Sequence, residues 1–166
     1  KVVLKSMNHS WLKNIDTQLI EYLNNLNRHN NSFEYSPAKR GLTKSGERIS
    51  LGFSCYAIKI LFTLNEWNKI DKIKKNDWIN YIHSFQQTRN PLPINSYIDN
   101  EIYNFYKNPS IKNTFKDKAK KTLNIVANKE YKLREASFQE AIRAESKQAI
   151  STLFQIGEKN KLPYKD

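Results

Sequence analysis

The segment 48–86, RISLGFSCYAIKILFTLNEWNKIDKIKKNDWINYIHSFQ, carries the strongest helical pattern of the chain. Apolar residues recur at spacings of three and four over 49–64 and again over 78–86, which is the periodicity of amphipathic helices. The charged run 65–77 separates the two patterns. The segment therefore predicts one helical hairpin, with its first helix over 49–64 and its second helix beginning near Asn76.

The first helix of this hairpin is echoed later in the chain. Ser54 and Ser146 are 92 residues apart, and so are Glu66 and Glu158. In the same register, Ala57, Ile58, Leu61, Phe62 and Leu64 are matched by Ala149, Ile150, Leu153, Phe154 and Ile156. Half of this interval, about 46 residues, suits one helical hairpin, and hairpins of that size stack because a single one cannot bury its apolar face. The predicted fold class is all-α, with stacked antiparallel helical hairpins in an α/α toroid-like arrangement or a partial superhelix.

Apolar periodicity predicts further helices at 10–28, within 97–106, from about 115 to 128 and at 131–156. Ser10 is placed to cap the first of these, and Gly157 is placed to end the last. The lysine-rich side of the helix at 115–128 is expected to face outward. The buried face of the last helix is predicted to contain Phe138, Ala141, Ile142, Ala149, Ile150, Leu153 and Phe154.

The domain organisation follows from length and composition. A chain of 166 residues with only four glycines and five prolines has the size of one domain and few tight turns. Residues 1–9 are predicted to be a tail and 10–166 a single helical domain. Because the last helix would open a hairpin that is not completed, the domain is expected to belong to a larger α/α repeat protein. It is then expected to contact a further helical segment or subunit.

The charge of the chain is strongly basic. Lys and Arg number 28 against 16 Asp and Glu, which gives a formal net charge of +12 and permits a polyanion as partner. Lys39, Arg40, Lys44 and Arg48 form the densest basic patch just before a helix, where free backbone amides favour a bound anion. These residues are candidate anion-binding residues, although the GKS or GKT ending of a P-loop is missing.

The single cysteine, Cys55, lies in an apolar helical pattern and is expected to be a buried small hydrophobic residue. His83 has no second His, Cys or acid at metal-ligand spacing, so a structural role and no metal site is predicted. No cofactor is expected.

No apolar run reaches the roughly 18 residues that a membrane span needs, and no signal-peptide pattern is present. A cytoplasmic location is therefore expected.

Two motifs resemble a known helical family. They are Ser54-x-x-Ala57-x-x-x-Leu61 and the later Trp78-x-x-Tyr81-Ile82-x-x-Phe85-Gln86. Together they resemble one inner and outer helix pair of the α/α toroid shared by terpene cyclases and protein prenyltransferases. The motif Ser146-x-x-Ala149-x-x-x-Leu153 resembles the inner helix of a later pair. In that family the inner helices line a central cavity for an isoprenoid or another ligand. The resemblance thus implies ligand-lining roles for Ser54, Tyr56, Glu145 and Gln148.

The sequence departs from that family where catalysis is concerned. It has neither the Asp-x-Asp-Asp motif of the class II cyclases nor an Asp, Cys and His set that matches the zinc ligands of the prenyltransferases. Asn90, Pro91 and Leu92 stand where glycine and tryptophan are expected after the glutamine. The resemblance implies a fold without a complete catalytic motif, and it leaves open whether the chain is an enzyme. Other α/α toroids act on polysaccharides, which would suit the aromatic residues Tyr97, Tyr103 and Tyr106.

Three functional hypotheses remain open on sequence alone. The first is a toroid-like domain that holds an apolar, sugar-class or protein ligand between its helices, with Ser54, Tyr56, Tyr103, Glu145 and Gln148 as candidate ligand-binding residues. The second is a basic module that binds nucleic acid or another polyanion through Lys39, Arg40, Lys44 and the lysines at 116 to 121. The third is a scaffold whose apolar edge near Leu162 and Tyr164 docks another helix pair.

Overall fold

A computed structural model describes residues 14–29, 33–37, 43–89 and 92–165 of the chain. Most of these residues are helical. The helices are α1 (Ile15–Leu26), α2 (Leu51–Thr63), α3 (Lys72–His83), α4 (Asn100–Lys107), α5 (Ile111–Val126) and α6 (Arg134–Gln155). Two short strands, β1 (Gln86–Gln87) and β2 (Ser96–Tyr97), pair antiparallel. The mostly helical content agrees with the predicted class, and the two-stranded sheet is an addition that the sequence pattern did not predict.

The predicted hairpin is present, although its second helix is shifted. α3 begins at Lys72 and not near Asn76, because Asp71 caps it and accepts a hydrogen bond from the backbone N–H of Lys74 at 2.9 Å. The helix ends at His83, since Gln86 already belongs to β1. The strand pairing thus takes over the last residues of the predicted helical pattern.

The remaining helical predictions hold with changed ends. The helix predicted at 10–28 is described as Ile15–Leu26, and its predicted cap Ser10 lies outside the described residues. The helix predicted from 115 begins one turn earlier, because Ser110 caps α5 by accepting from the N–H of Asn113 at 3.3 Å. Gly157 does follow the end of α6, as predicted, with a φ of +83° that favours glycine.

Helices α2 and α6 end in the same way. Asn65 follows α2 with a φ of 58°, and Gly157 follows α6 in the same left-handed region. The next residue is a glutamate in both cases, and its N–H donates at 2.8 Å to the carbonyl of Leu61 in α2 and of Leu153 in α6. This is the Schellman arrangement, which satisfies carbonyls at the end of a helix. The sequence echo therefore extends to the local structure of the helix ends.

The two echoed helices are direct neighbours. Glu145 lies against Gly52 in the first turn of α2, and Ser151 accepts a hydrogen bond from Lys59 at 2.8 Å nearer its end. Contacts that advance together along both helices show that α2 and α6 run parallel. The segment that joins the two helices contains α3, the strands, α4 and α5. The predicted repeat of hairpins of about 46 residues stays a prediction.

Ser54 and Ser146 both bind backbone outside their own helices. The Ser54 hydroxyl donates to the carbonyl of Phe33 at 2.7 Å and accepts from the indole N–H of Trp78, also at 2.7 Å. Ser146 accepts from the N–H of Tyr97 at 3.0 Å and donates to its carbonyl at 3.3 Å. Each buried serine thus ties its helix to a neighbouring segment and satisfies polar groups that have no access to water.

The core is built around Trp78. Its ring stacks on Tyr35 at a centroid distance of 5.6 Å and on Phe33 at 5.4 Å, and it meets Trp67 edge to face. Cys55 is fully buried, as predicted, and burial raises the pKa of its thiol to about 12. A smaller cluster is formed by Leu92, Ile98, Phe138 and Ile142. The main core therefore joins α2, α3 and α6. Ile98, the residue that follows β2, belongs to the second cluster.

Two predictions about buried faces are wrong. Phe154 was expected on the buried face of α6, but it is 83% exposed, because it lies one residue, and about 100° of helical turn, beyond the buried Leu153. The second concerns α5, which contributes no buried residue and exposes Phe115 and Val126. None of the described helices combines the length and hydrophobicity that a bilayer crossing requires.

The C-terminal segment folds back on the β-strands. The side chain of Gln86 accepts from the N–H of Leu162 at 3.0 Å and donates to its carbonyl at 2.7 Å. The N–H of Lys165 donates to the carbonyl of Ile94 at 3.1 Å. The side chain of Leu162 remains 43% exposed, and the docking role of this edge stays a prediction.

Replacing Ser146 with alanine is expected to lower the free energy of unfolding by about 1–3 kcal/mol, because the N–H of Tyr97 is then buried without its acceptor. Ser151→Ala, on the exposed side of the same helix, is the matched control and is expected to cost about 0.5 kcal/mol or less. Urea unfolding followed by circular dichroism measures both. Equal costs for the two variants would contradict the structural role of the Ser146 hydroxyl.

Candidate functional site

A polar cleft of about 550 Å³ opens where α2 and α4 begin. Its walls combine two arginines, four acids, two aromatic rings and several neutral polar side chains. The lining residues are Arg28, His29, Glu34, Glu47, Arg48, Ser50, Tyr81, Phe85, Asp99, Asn100 and Glu101. Its volume is in the range typical of small-molecule sites. We refer to it as the polar cleft.

Asp99 holds the two helices that meet at the cleft. One carboxylate oxygen accepts from the backbone N–H of Ser50 at 2.8 Å and of Leu51 at 3.2 Å, at the N-terminal end of α2. The other oxygen accepts from the N–H of Glu101 at 2.9 Å and caps α4. Ser50 is the N-cap residue of α2 but makes no cap through its own side chain. Asp99 therefore supplies from a distant segment the acceptor that α2 lacks locally.

An ion pair forms one side of the cleft. The guanidinium group of Arg48 donates to both carboxylate oxygens of Glu101, at 2.7 and 3.0 Å. The hydrogen bond and charge of Arg48 lower the pKa of Glu101. Arg28 donates to the carbonyl of Ile49 at 2.8 Å and lies 3.8 Å from Glu34. Charged groups of both signs are thus held in fixed positions around the cleft.

Tyr81 in α3 and Phe85 just after that helix supply the apolar part of the cleft. Tyr81 donates through its hydroxyl to Ser50 at 2.7 Å, and its ring meets Phe85 edge to face at 5.1 Å. Burial raises the pKa of Tyr81 to about 12. The cleft therefore places ring surface beside hydrogen-bonding groups, the combination that binds ligands with both apolar and polar faces.

Glu145 lies behind Asp99, between α6 and α2. Its carboxylate oxygen Oε1 lies beside Gly52, at 3.4 Å from where a Cβ of that residue would be, which is an ordinary van der Waals distance. Its other oxygen, Oε2, is buried and has no hydrogen-bond partner within the described ranges. Burial, and then the charge of Asp99, raise the pKa of Glu145 to about 7, while a hydrogen bond from the backbone N–H of Asp99 opposes the rise.

Gln148 lies one helical turn further along α6. Its side-chain oxygen accepts from Lys59 at 3.4 Å, and its Nε2 is buried without a partner among the residues that the structure describes. The structure thus brings Glu145 and Gln148 together along the α2–α6 seam. Tyr56, 55% exposed, lies beside a smaller cavity of about 190 Å³ that it shares with Lys59 and Leu19.

The other residues predicted to bind a ligand lie elsewhere. Ser54 is enclosed in the core and bound to Phe33 and Trp78. Tyr103 packs edge to face on Phe138, and the guanidinium group of Arg89 lies 3.8 Å above its ring. The five candidates therefore do not line one common cavity in the described chain. Their roles as ligand-binding residues stay predictions.

Only part of the predicted anion site lies within the described residues. Lys39 and Arg40 lie outside the described residues. Lys44 is exposed, and Arg48 lies in the polar cleft bound to Glu101. An anion at this helix end would compete with the carboxylate of Asp99, which already occupies the amides of Ser50 and Leu51. The anion-binding role also stays a prediction.

Sequence reasoning did not single out Tyr81 as a cleft-lining residue. For the segment 97–106, which contains Asp99 and Glu101, it allowed a ligand-cleft role but favoured packing of the aromatic residues into the core. An aspartate before the periodic pattern of α4 is a recognisable helix-cap signal, but its second role at α2 is a tertiary contact. His83, predicted to be structural, lies 3.0 Å from the Tyr97 hydroxyl, and burial lowers its pKa. The described residues contain no group of three or more His, Cys, Asp or Glu placed to hold a metal ion.

Comparison of the chain with protein-family models, curated proteins and solved structures finds no match.

The ionisation of Glu145 is expected to destabilise the protein as pH rises. Its pKa is about 7 in the folded state against an ordinary 4.5, so between these values the folded protein retains a proton that the unfolded chain releases. Stability is therefore lost as pH rises through this window and stays low above it. Glu145→Gln removes this titration. The free energy of unfolding of the variant minus that of the wild type should therefore increase by about 3 kcal/mol from pH 4 to pH 8.

Urea unfolding across this pH range measures the effect of Glu145. The control is Glu135→Gln, which removes one exposed glutamate from the same helix. For each variant, the difference in free energy of unfolding from wild type is plotted against pH. If the two differences change equally with pH, Glu145 is not the group responsible.

Removing the Asp99 carboxylate is expected to loosen two helices at once. Asp99→Ala should lower the free energy of unfolding by about 2–4 kcal/mol, because the amides of Ser50, Leu51 and Glu101 lose their acceptor in a buried site. Asp71→Ala, which removes a single exposed cap from α3, is the matched control and should cost about 1 kcal/mol. Chemical unfolding compares them, and a smaller loss for Asp99→Ala than for the control would refute the double cap.

Proposed function

We propose that this chain is a helical binding domain for a carbohydrate-class ligand, which is held in the polar cleft. The observation that carries the proposal is the composition of that cleft, in which Arg48, Glu101 and Asp99 are fixed beside the rings of Tyr81 and Phe85. Sugar hydroxyls both donate and accept hydrogen bonds, so they match a wall that offers guanidinium donors and carboxylate acceptors. The apolar face of a sugar ring matches the aromatic surface.

An isoprenoid is a poorer match to the same cleft. A hydrocarbon chain cannot replace the water around the charged groups at its walls, and uncompensated desolvation of such groups is costly. A more apolar cavity of about 360 Å³ lies nearby and is lined in part by Ile49, Ile102 and Phe105. The isoprenoid class implied by the family resemblance would belong to that cavity and not to the polar cleft.

We also propose that the helices form part of an α/α toroid-like arrangement. Three observations support it. α2 and α6 are parallel neighbours, and their matching serines and matching Schellman ends are 92 residues apart. α3 returns antiparallel to α2, since Trp78 bonds to Ser54 and the later Tyr81 bonds to the earlier Ser50. In this arrangement α2 and α6 would be inner helices and α3 an outer one.

The proposal is for binding and includes no reaction. Glu145 is the described acid whose raised pKa suits proton transfer near neutral pH, but it lies behind Asp99 and is not among the cleft-lining residues. The alternative function, binding of a polyanion, is supported by the net charge of +12. It is weakened at the cleft by the pairing of Arg48 with Glu101.

Glu101→Gln is expected to weaken sugar binding at least about tenfold, because a charge-assisted acceptor is lost and Arg48 is released from its fixed position. The probes are cello-, xylo-, malto- and chito-oligosaccharides together with oligogalacturonate, and the measurement is isothermal titration calorimetry. Glu140→Gln is the matched control, since Glu140 is also in an ion pair, with Lys132, but lies away from the cleft. It should bind as wild type does.

Two results would contradict this function. The first is the absence of binding to every sugar probe, and the second is an equal loss in both variants. Farnesol and a short DNA duplex are titrated as competing ligand classes. DNA binding that falls steeply with added salt would favour the polyanion alternative, because such binding depends on released counterions. Farnesol binding without sugar binding would favour the isoprenoid class.

A further inference from the structure

Helix α5 packs with its polar side against the protein. Asn113, Asp117, Lys120 and Asn124 recur at spacings of three and four and are its only partly buried residues. Asp117 accepts from the backbone N–H of Arg134 at 2.9 Å, and Lys120 donates to the carbonyl of Lys132 at 3.0 Å. Asn124 forms two hydrogen bonds with the backbone of Tyr131, at 2.8 and 2.9 Å. α5 is therefore attached through hydrogen bonds.

The opposite side of α5 is apolar and faces outward. Its members are between 44% and 83% exposed: Ile111, Phe115, Leu123, Ile125 and Val126. They follow the whole 16-residue helix, a length of about 24 Å. A soluble amphipathic helix normally buries this side, so an apolar stripe of this length indicates a binding surface. We refer to it as the α5 stripe.

Lysines border the α5 stripe on both sides. At 100° per residue, Lys112 and Lys116 project along one edge and Lys121 along the other, while Lys118 lies within the stripe between Ile111 and Ile125. The single acid of the helix, Asp117, is turned toward the protein and accepts from Arg134. The outward surface therefore consists of apolar side chains with lysines on both sides and Lys118 among them.

We propose that α5 is an interfacial helix that binds the surface of an anionic phospholipid bilayer. Apolar side chains between flanking lysines are the pattern of helices that lie in the plane of a membrane surface. The apolar residues would enter the region between headgroups and acyl chains. The lysine side chains would extend toward the headgroups and place their ammonium groups among the lipid phosphates. This surface is independent of the polar cleft, because α5 contributes no residue to it.

Charge complementarity favours this occupant over the others. Two copies of the chain that paired through the α5 stripe would bring like-charged lysine rows together. Protein interfaces favour arginine and are depleted in lysine, whereas every cation along the stripe is lysine. A nucleic acid would contact the lysines through its phosphates but would leave the apolar residues exposed. An anionic bilayer matches both the charge and the apolar surface.

The test is flotation of the full chain with lipid vesicles. One set contains about two thirds phosphatidylcholine and one third phosphatidylserine, and the other contains phosphatidylcholine alone. The wild-type protein should float with the first set and bind the second at least about tenfold more weakly, because several lysines each contribute electrostatic attraction. Equal binding to both sets would overturn the anionic part of the proposal. No binding to either set would overturn it entirely.

A matched pair of variants locates the binding surface. Ile125→Glu changes a residue of the α5 stripe that is 83% exposed. Ile73→Glu changes a 76% exposed isoleucine on α3 that is also flanked by lysines, with the same change in charge. Ile125→Glu should reduce vesicle binding at least about tenfold, whereas Ile73→Glu should reduce it about threefold or less. Because both residues are exposed, neither variant is expected to unfold the protein.

Three outcomes would overturn the assignment to lipid. An equal loss in the two variants would mean that charge alone, and not the α5 stripe, attracts the vesicles. A dimer in the absence of vesicles that Ile125→Glu converts to a monomer would assign the stripe to contact between copies. Duplex RNA that displaces the wild-type protein from vesicles, and binds both variants equally, would assign the lysines to nucleic acid.

Discussion

The buried carboxylate of Asp99 is the contact on which the arrangement of α2, α4 and the polar cleft depends. A carboxylate that is only 2% exposed needs hydrogen-bond donors around it, because its desolvation is otherwise costly. Three backbone amides provide them, and they lie at the N-terminal ends of two helices, where the helix dipole favours negative charge. One side chain thus fixes both helices that border the cleft.

The local helical signals were readable from the sequence. The periodicity around Ser54 and Ser146 predicted α2 and α6, and Gly157 predicted the end of α6 correctly. Asn65 is the equivalent of Gly157 in the first copy, and it adopts the left-handed conformation that asparagine tolerates better than most residues. The direct contact of the echoed helices was not predictable, since periodicity describes one helix and does not state which helix lies beside it.

The polar cleft was less predictable than the helices. Its residues come from the segment after α1, from the loop before α2, from α3 and the residues just after it, and from the beginning of α4. No spacing in the sequence joins these segments. Asp99 is recognisable as the cap of α4, but its bonds to Ser50 and Leu51 exist only after folding. The same limit explains the error for α5. Its sequence pattern showed one apolar and one polar face. The polar face turns inward because its side chains hydrogen-bond to the backbone of Tyr131 and Arg134.

Helix α4 connects the cleft with α5. Asp99 caps its beginning, and Arg134 donates to the carbonyls of Phe105 and Tyr106 at its other end. Arg134 is also the first residue of α6, and its backbone N–H donates to Asp117 of α5. Because α5 has no buried side chain of its own, its position is set by these polar contacts and not by apolar packing. The apolar side of α5 is therefore available for a partner, since the helix is held in place without it.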